Sequence, residues 1–130
     1  MRQTFGKDER LHKKILIGKL FNEGVSFYVY PFRVTSSQTD LTAVPPVQIL
    51  ISVPKHSFKN AVDRNLLKRR IREAYRKNKQ ALCTALEIRH IRILVSVNYT
   101  AKTILPYTII QDKIILLLQR LMEANGKTPG

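Results

Sequence analysis

Apolar positions along this chain follow two periods, and the switches between them outline its elements. From Asp8 to Asn22, Leu11, Ile15, Leu20 and Phe21 recur at helical spacing, and Gly24 follows where a helix would stop. Val25 to Val34 is rich in β-branched and aromatic residues. It predicts two strands, or one long strand broken near Pro31, because proline has no N–H to give to a sheet interior. Val47, Ile49, Ile51 and Val53 point to one side of a second period-2 run. Between these runs, Thr35 to Pro46 is rich in Ser, Thr, Asp and Pro and reads as a connecting loop. The helical period returns from Lys59 to about Leu86, and Ile91, Ile93, Val95 and Val97 then alternate as a further strand. A last helix is predicted from about Pro106 to Ala124, with Ile110, Ile114, Leu117, Leu118 and Leu121 on one face and Asn125-Gly126 closing it.

The helix after Lys59 is the most informative of these. Leu67, Ile71, Ala74, Tyr75 and Leu82 share one arc, which is the face a core would bury. On a different arc of about 100°, at 100° per residue, lie Asn65, Lys68, Arg69, Arg72, Arg76 and Lys79. Glu73 is the only acid between Arg64 and Arg76, so the stripe reads as one without neutralising partners an i+4 step away. Guanidinium forks on adjacent turns suit successive phosphates, because each can donate two parallel hydrogen bonds while its charge displaces counterions. A solvated basic face is the plain alternative, and total charge weighs against it. The chain has 23 Lys and Arg against 9 Asp and Glu, a formal charge of +14 with pI near 10.4, which favours nucleic acid over a neutral ligand.

The same segment resembles the signature of the protein component of bacterial ribonuclease P, the endonuclease that removes the 5′ leader from precursor tRNA. The likeness rests on Asn60-Ala61-Val62-Asp63-Arg64-Asn65, then Lys68-Arg69, then Ile71-Arg72-Glu73-Ala74-Tyr75-Arg76. Arg10-Leu11, Phe21, Gly24, Pro31-Phe32 and Ile51-Ser52-Val53 stand upstream in the family's order. The resemblance implies an α/β (α+β) two-layer sandwich of order α-β-β-β-α-β-α. It also implies a mostly antiparallel four-stranded sheet and a left-handed β-α-β crossover around the basic helix. The implied activity is that of a subunit: the RNA performs hydrolysis with RNA-bound Mg2+, while the protein docks on the catalytic RNA and grips the precursor tRNA leader. Carried onto this chain, the docking surface is Arg64, Asn65, Lys68, Arg69, Arg72 and Arg76, and the leader cleft lies near Ile17, Phe21, Phe32 and Lys55. The chain departs from the family at Leu66, where many members have a basic residue. It departs again at Lys55-His56-Ser57-Phe58-Lys59, which is longer than the usual loop and lacks its glycine. Ile17 replaces an aromatic often found on the first helix.

Length and composition bound the rest. With 130 residues, 44% of them hydrophobic and 25% charged, one globular domain with short flexible ends is expected, covering residues 1–130. Cys83 is a lone cysteine in a helical pattern, read as a packed thiol in a chain suited to a reducing cytoplasm. Met1 to Lys14 is charged throughout, and the longest purely apolar run, Ile114 to Leu118, is too short to span a bilayer. No export signal, membrane association or small-molecule substrate is expected. His12, His56 and His90 are isolated from one another and from carboxylates, and Asp63 and Glu73 sit about 80° apart on the helix. No protein-borne catalytic or metal site is therefore expected. His56, beside Lys55, suits an RNA contact better than acid–base work. Phe21 and Phe32 fit either a stacking or a core reading. A structural RNA-binding protein, such as a ribosomal protein, satisfies the same composition but does not call for the motif. A major-groove DNA binder reading bases with Asn65 and Arg69 lacks helix-turn-helix spacing.

Overall fold

A computed structural model describes residues 24–39 and 45–126 of the chain. The helix expected over Asp8 to Asn22, and with it Ile17 and Phe21, lies outside the described residues. The described elements are β1 (Val25–Val29), β2 (Phe32–Thr39), β3 (Val47–Ser52), α1 (Ala61–Asn78), α2 (Gln80–Arg89), β4 (Arg92–Tyr99) and α3 (Tyr107–Gly126). The strands form one sheet in the order β1-β2-β4-β3, antiparallel except for the β3–β4 pair. Parallel pairing obliges the chain to cross from one end of the sheet to the other, and α1 and α2 make that crossing. The mixed fold class expected from the sequence is the one observed.

Alternation within the strands decides where the helices lie. Val29, Phe32, Val34, Val47, Ile49, Ile93, Val95, Val97 and Tyr99 share one face by register and join a single buried cluster with Leu67, Ile71, Leu82, Leu86, Ile110, Ile114 and Leu117 of the helices. The opposite face carries Ser26, Tyr28, Arg33, Thr35, Ser37, Ser96, Asn98, Gln48 and Ser52, with Leu50 and Leu94 as apolar exceptions. One face of the sheet is thus apolar and helix-covered, the other mainly polar.

Two boundaries differ from the sequence reading, each for a local reason, and a third resolves an alternative it left open. Thr35 to Thr39 is strand rather than loop, because β2 is central and pairs with β4 along its whole length, Thr39 opposite Arg92. Thr35, Ser37 and Thr39 lie on the polar face, while Gln38 on the helix-covered face donates its side-chain amide to Asn125 Oδ1 at 3.2 Å. The chain between Val25 and Val34 forms two strands, turning at Tyr30-Pro31. The helix expected from Lys59 to Leu86 is interrupted at Lys79. The Asn78 side-chain amide donates to the Ala74 carbonyl at 2.8 Å, competing for a group the helical ladder would use. Lys79 keeps helical angles and is buried, its Nζ 5.8 Å from the centre of the Tyr75 ring, and its carbonyl accepts from the Cys83 N–H as α2 begins. Lys79 therefore leaves the cationic stripe that the helical wheel assigns it.

At the end of the sheet where β1 turns into β2, Phe32, Phe58 and Tyr99 pack together with ring centroids 5.9 Å apart in the Phe32–Tyr99 and Phe58–Tyr99 pairs. Tyr99 is fully buried, and its hydroxyl donates to the Thr103 carbonyl at 2.7 Å while accepting the Leu105 N–H at 3.1 Å. Burial holds this phenol above the usual tyrosine range. Its neutral form is therefore the folded form, and the associated stability is fully present below the unfolded pKa and lost as pH rises through the raised folded value. Tyr99→Phe removes the partner of the Thr103 carbonyl and the Leu105 N–H, two part-buried bonds, and at roughly 0.5 to 1.5 kcal/mol per bond is expected to cost about 1 to 3 kcal/mol. The check is a lower urea midpoint at unchanged slope at neutral pH, with the gap to the parent protein narrowing as pH climbs past the ordinary tyrosine value.

Candidate nucleic-acid interface

Helix α1 buries Leu67, Ile71, Ala74 and Tyr75 against the core and so turns Asn65, Lys68, Arg69 and Arg72 outward. Asn65 and Arg69 are exposed, Lys68 and Arg72 half-buried along their stems, and none of the four makes a side-chain hydrogen bond or ion pair among the described residues. The other cations of this helix are engaged. Arg64 donates from one guanidinium nitrogen to the carbonyls of Phe58 at 2.7 Å and Lys59 at 2.9 Å, fastening the β3–α1 loop. Arg70 donates to the Leu105 carbonyl at 2.7 Å, across to the segment that leads into α3. Arg76 grips Glu73 through Nε at 3.1 Å and through its other nitrogen at 2.6 Å, while Lys77 stands 3.8 Å from the same carboxylate. The stripe is therefore neutralised at its C-terminal end, contrary to the expectation from charge spacing alone, because Glu73 lies one turn from both cations. The bond from Arg76 holds the Glu73 carboxyl below its usual range. The pair thus persists through mild acid and is lost only as pH falls through the depressed value.

A second surface lies at the same end of the sheet. Register places Tyr28, Arg33, Asn98 and Ser52 side by side across β1, β2, β4 and β3 on the polar face, a row of about 14 Å at the usual strand spacing. Arg33 is exposed, and the Ser52 hydroxyl donates to the Asn98 side-chain oxygen at 2.7 Å. The row ends where β3 enters the Pro54 to Asn60 loop. There the amides of Ser57 and Phe58 donate to the Pro54 carbonyl at 3.3 and 3.2 Å and make a turn without glycine. Phe58 drops into the core, which leaves Lys55, His56 and Lys59 exposed between the polar row and the start of α1.

The expected site residues thus divide. Asn65, Lys68, Arg69 and Arg72 come together on one exposed arc, with Arg64 at one end tied to the loop and Arg76 at the other tied to Glu73. Lys55 stands on the loop beside the polar row. Phe32 does not line a cleft: it has no accessible surface and faces the helices, so its role is packing against Tyr99. Ile17 and Phe21 lie outside the described residues. Arg33, Asn98 and Ser52 were not selected from sequence. Their signal is the polar half of each strand's alternation, and only the pairing register joins them into a row. Among the described residues, no three or more His, Cys, Asp and Glu side chains gather as a metal site. No described helix is long and apolar enough to cross a membrane.

Comparison with known proteins bears on this geometry directly. The family model described as Ribonuclease P matches residues 5–122. A ribonuclease P protein component from Porphyromonas gingivalis is 44% identical over 90 residues, 68% of this chain and 66% of that relative, so the match spans just under two thirds of the relative's length. One from Chlorobium phaeobacteroides is 33% identical over 125 residues, 88% of this chain and 86% of the relative. Among solved structures, the Staphylococcus aureus RNase P protein superposes with a TM-score of 0.64 at 25% identity, covering 87% of this chain and 94% of that one. The Thermotoga maritima RNase P protein shares the fold with a TM-score of 0.67 at 24% identity, covering 86% and 96%. With the basic α1 motif inside the matched span and the sheet topology in agreement, the chain belongs to the ribonuclease P protein family.

Proposed function

We propose that this protein is the RNA-binding subunit of a ribonuclease P ribonucleoprotein, docking on the catalytic RNA through α1 and holding the precursor tRNA leader along the polar sheet face. The observation that carries the reading is the exposed arc of Asn65, Lys68, Arg69 and Arg72, whose cations have no protein partner among the described residues. Four outward polar side chains within two turns of one rigid helix present a shaped row of donors to a phosphate backbone. A single-stranded leader offers phosphates and unstacked bases, which suits the Arg33-Asn98-Ser52 row and Lys55. Phosphodiester hydrolysis falls to the RNA and its Mg2+, and these side chains supply charge and shape. The cytoplasm is the compartment where such a complex would meet its substrate.

Reconstitution tests this reading. The protein, its ribonuclease P RNA and a precursor tRNA at low magnesium should give leader cleavage that depends on both macromolecules, since cationic side chains replace part of the screening otherwise due to metal ions. Magnesium-dependent cleavage by rigorously RNA-free protein would overturn it.

Arginine substitutions separate binding from folding. Arg69→Ala and Arg72→Ala should each weaken binding to the catalytic RNA by about 1 to 3 kcal/mol and reduce the salt slope by about 1, with unfolding midpoints unchanged. Arg70→Ala should do the reverse. It unpairs the half-buried Leu105 carbonyl and lowers stability by about 1 to 2 kcal/mol, with RNA affinity of the folded protein intact. Filter binding across a salt series, alongside urea unfolding, reads both quantities.

Glu73→Gln removes the negative charge that Arg76 and Lys77 share. Affinity for the catalytic RNA should rise and its salt dependence steepen, the opposite sign to every arginine deletion.

A further inference from the structure

At the β1 end of the row just described, the polar face carries two exposed aromatic rings that lie outside the buried core. Tyr28 on β1 and Tyr30 in the following turn are 49% and 54% exposed, and their rings meet edge to face with centroids 6.4 Å apart at 62°. Tyr28 stands opposite Arg33 in the register and so extends the Ser52-Asn98-Arg33 row to the edge of the sheet. Its ring is held in place. The hydroxyl lies 2.7 Å from the Thr100 hydroxyl, which itself donates to the Pro31 carbonyl at 3.0 Å, while Arg120 of α3 donates to the Tyr28 carbonyl at 3.3 Å. Two large rings left in solvent, one of them tethered, are a rigid stacking surface rather than a core residue that failed to bury.

We propose that Tyr28 and Tyr30 form a stacking platform for bases of the single-stranded 5′ leader, extending the leader path from Ser52 and Lys55 across the sheet to the β1 edge. This rests on the leader-binding reading above and names the residues that read the leader's upstream part. Charge selects RNA as the occupant. Neither β1 nor β2 contains an acid, Arg33 and Arg120 flank the tyrosines, and a second copy of a chain carrying +14 would be repelled from the same patch. Bases stack on a fixed aromatic face whatever their identity, so the platform adds affinity with leader length and without sequence preference.

The test uses the protein assembled with its ribonuclease P RNA and precursor tRNAs with leaders of increasing length. With the parent protein, affinity should rise with leader length and then level off. In Tyr28→Leu/Tyr30→Leu the plateau should come at a shorter leader, with about a tenfold loss for the longest leaders and none for the shortest or for mature tRNA. The Tyr30→Phe protein keeps both rings and the bond between Tyr28 and Thr100, and should behave as the parent. Equal loss at every leader length, or no loss at any, overturns the platform, the latter leaving the rings open to a protein partner. A direct readout separates this inference from the reading beneath it. The chain contains no tryptophan, so Tyr30→Trp introduces a sole indole whose emission should be quenched by a short oligouridine. Quenching without any leader-length dependence in the parent protein would refute the leader reading and leave the stacking site standing. Unquenched emission would refute the platform.

Discussion

The buried hydroxyl of Tyr99 is the constraint on which the working end of this protein depends. Its ring packs between Phe32, at the start of β2, and Phe58, from the β3–α1 loop, while its oxygen ties down Thr103 and Leu105 in the segment leading to α3. Three connections of the chain meet on one residue. Because that oxygen has no access to water, both of its bonds must be made within the protein, and this fixes the path of the Ala101 to Leu105 segment. The same end of the sheet carries the exposed loop cations, the polar row and the first turns of α1.

Two arginines of α1 reinforce that arrangement. Arg64 holds the carbonyls of Phe58 and Lys59, and Arg70 holds that of Leu105, so the helix is bolted to the loops on either side of Tyr99. The basic helix thus contains two populations of cation that composition does not separate. Arg64, Arg70 and Arg76 are engaged by backbone carbonyls or by Glu73, whereas Lys68, Arg69 and Arg72 face outward without partners among the described residues. Buried Lys79 belongs with neither: its stem closes the core at the α1–α2 break while its ammonium sits by the Tyr75 ring. The outward arc is framed by neighbouring guanidinium groups of the same helix, which tie it to the loops on either side.

Much of this was legible in the sequence because local periodicity and local chemistry agree. The buried arc of Leu67, Ile71, Ala74 and Tyr75, the outward Asn65, Lys68, Arg69 and Arg72, the strand at Ile91 to Val97 and the final helix all follow from spacing alone. What spacing missed depends on contacts between distant segments. Thr35 to Thr39 reads as loop until β4 pairs with it, and Phe32 is ambiguous until register places it on the helix-covered face opposite Tyr99. The Arg33-Asn98-Ser52 row joins residues from three strands. Glu73 was visible, but its capture of Arg76 is a matter of rotamer, and the break at Lys79 turns on one side-chain amide at Asn78.

The central claim is that two separable RNA surfaces, the outward arc of α1 and the polar face of the sheet, meet at the end organised by Tyr99. A double-mutant cycle tests it most directly. Arg72→Ala, Arg33→Ala and the double variant are compared for affinity to the catalytic RNA alone and for discrimination between precursor and mature tRNA in the assembled complex. The account predicts that Arg72→Ala lowers the first quantity only, that Arg33→Ala lowers the second only, and that the double variant shows the sum. If each substitution lowered both quantities in the same proportion, the protein would be presenting one diffuse field of charge, and the two-surface account would be wrong.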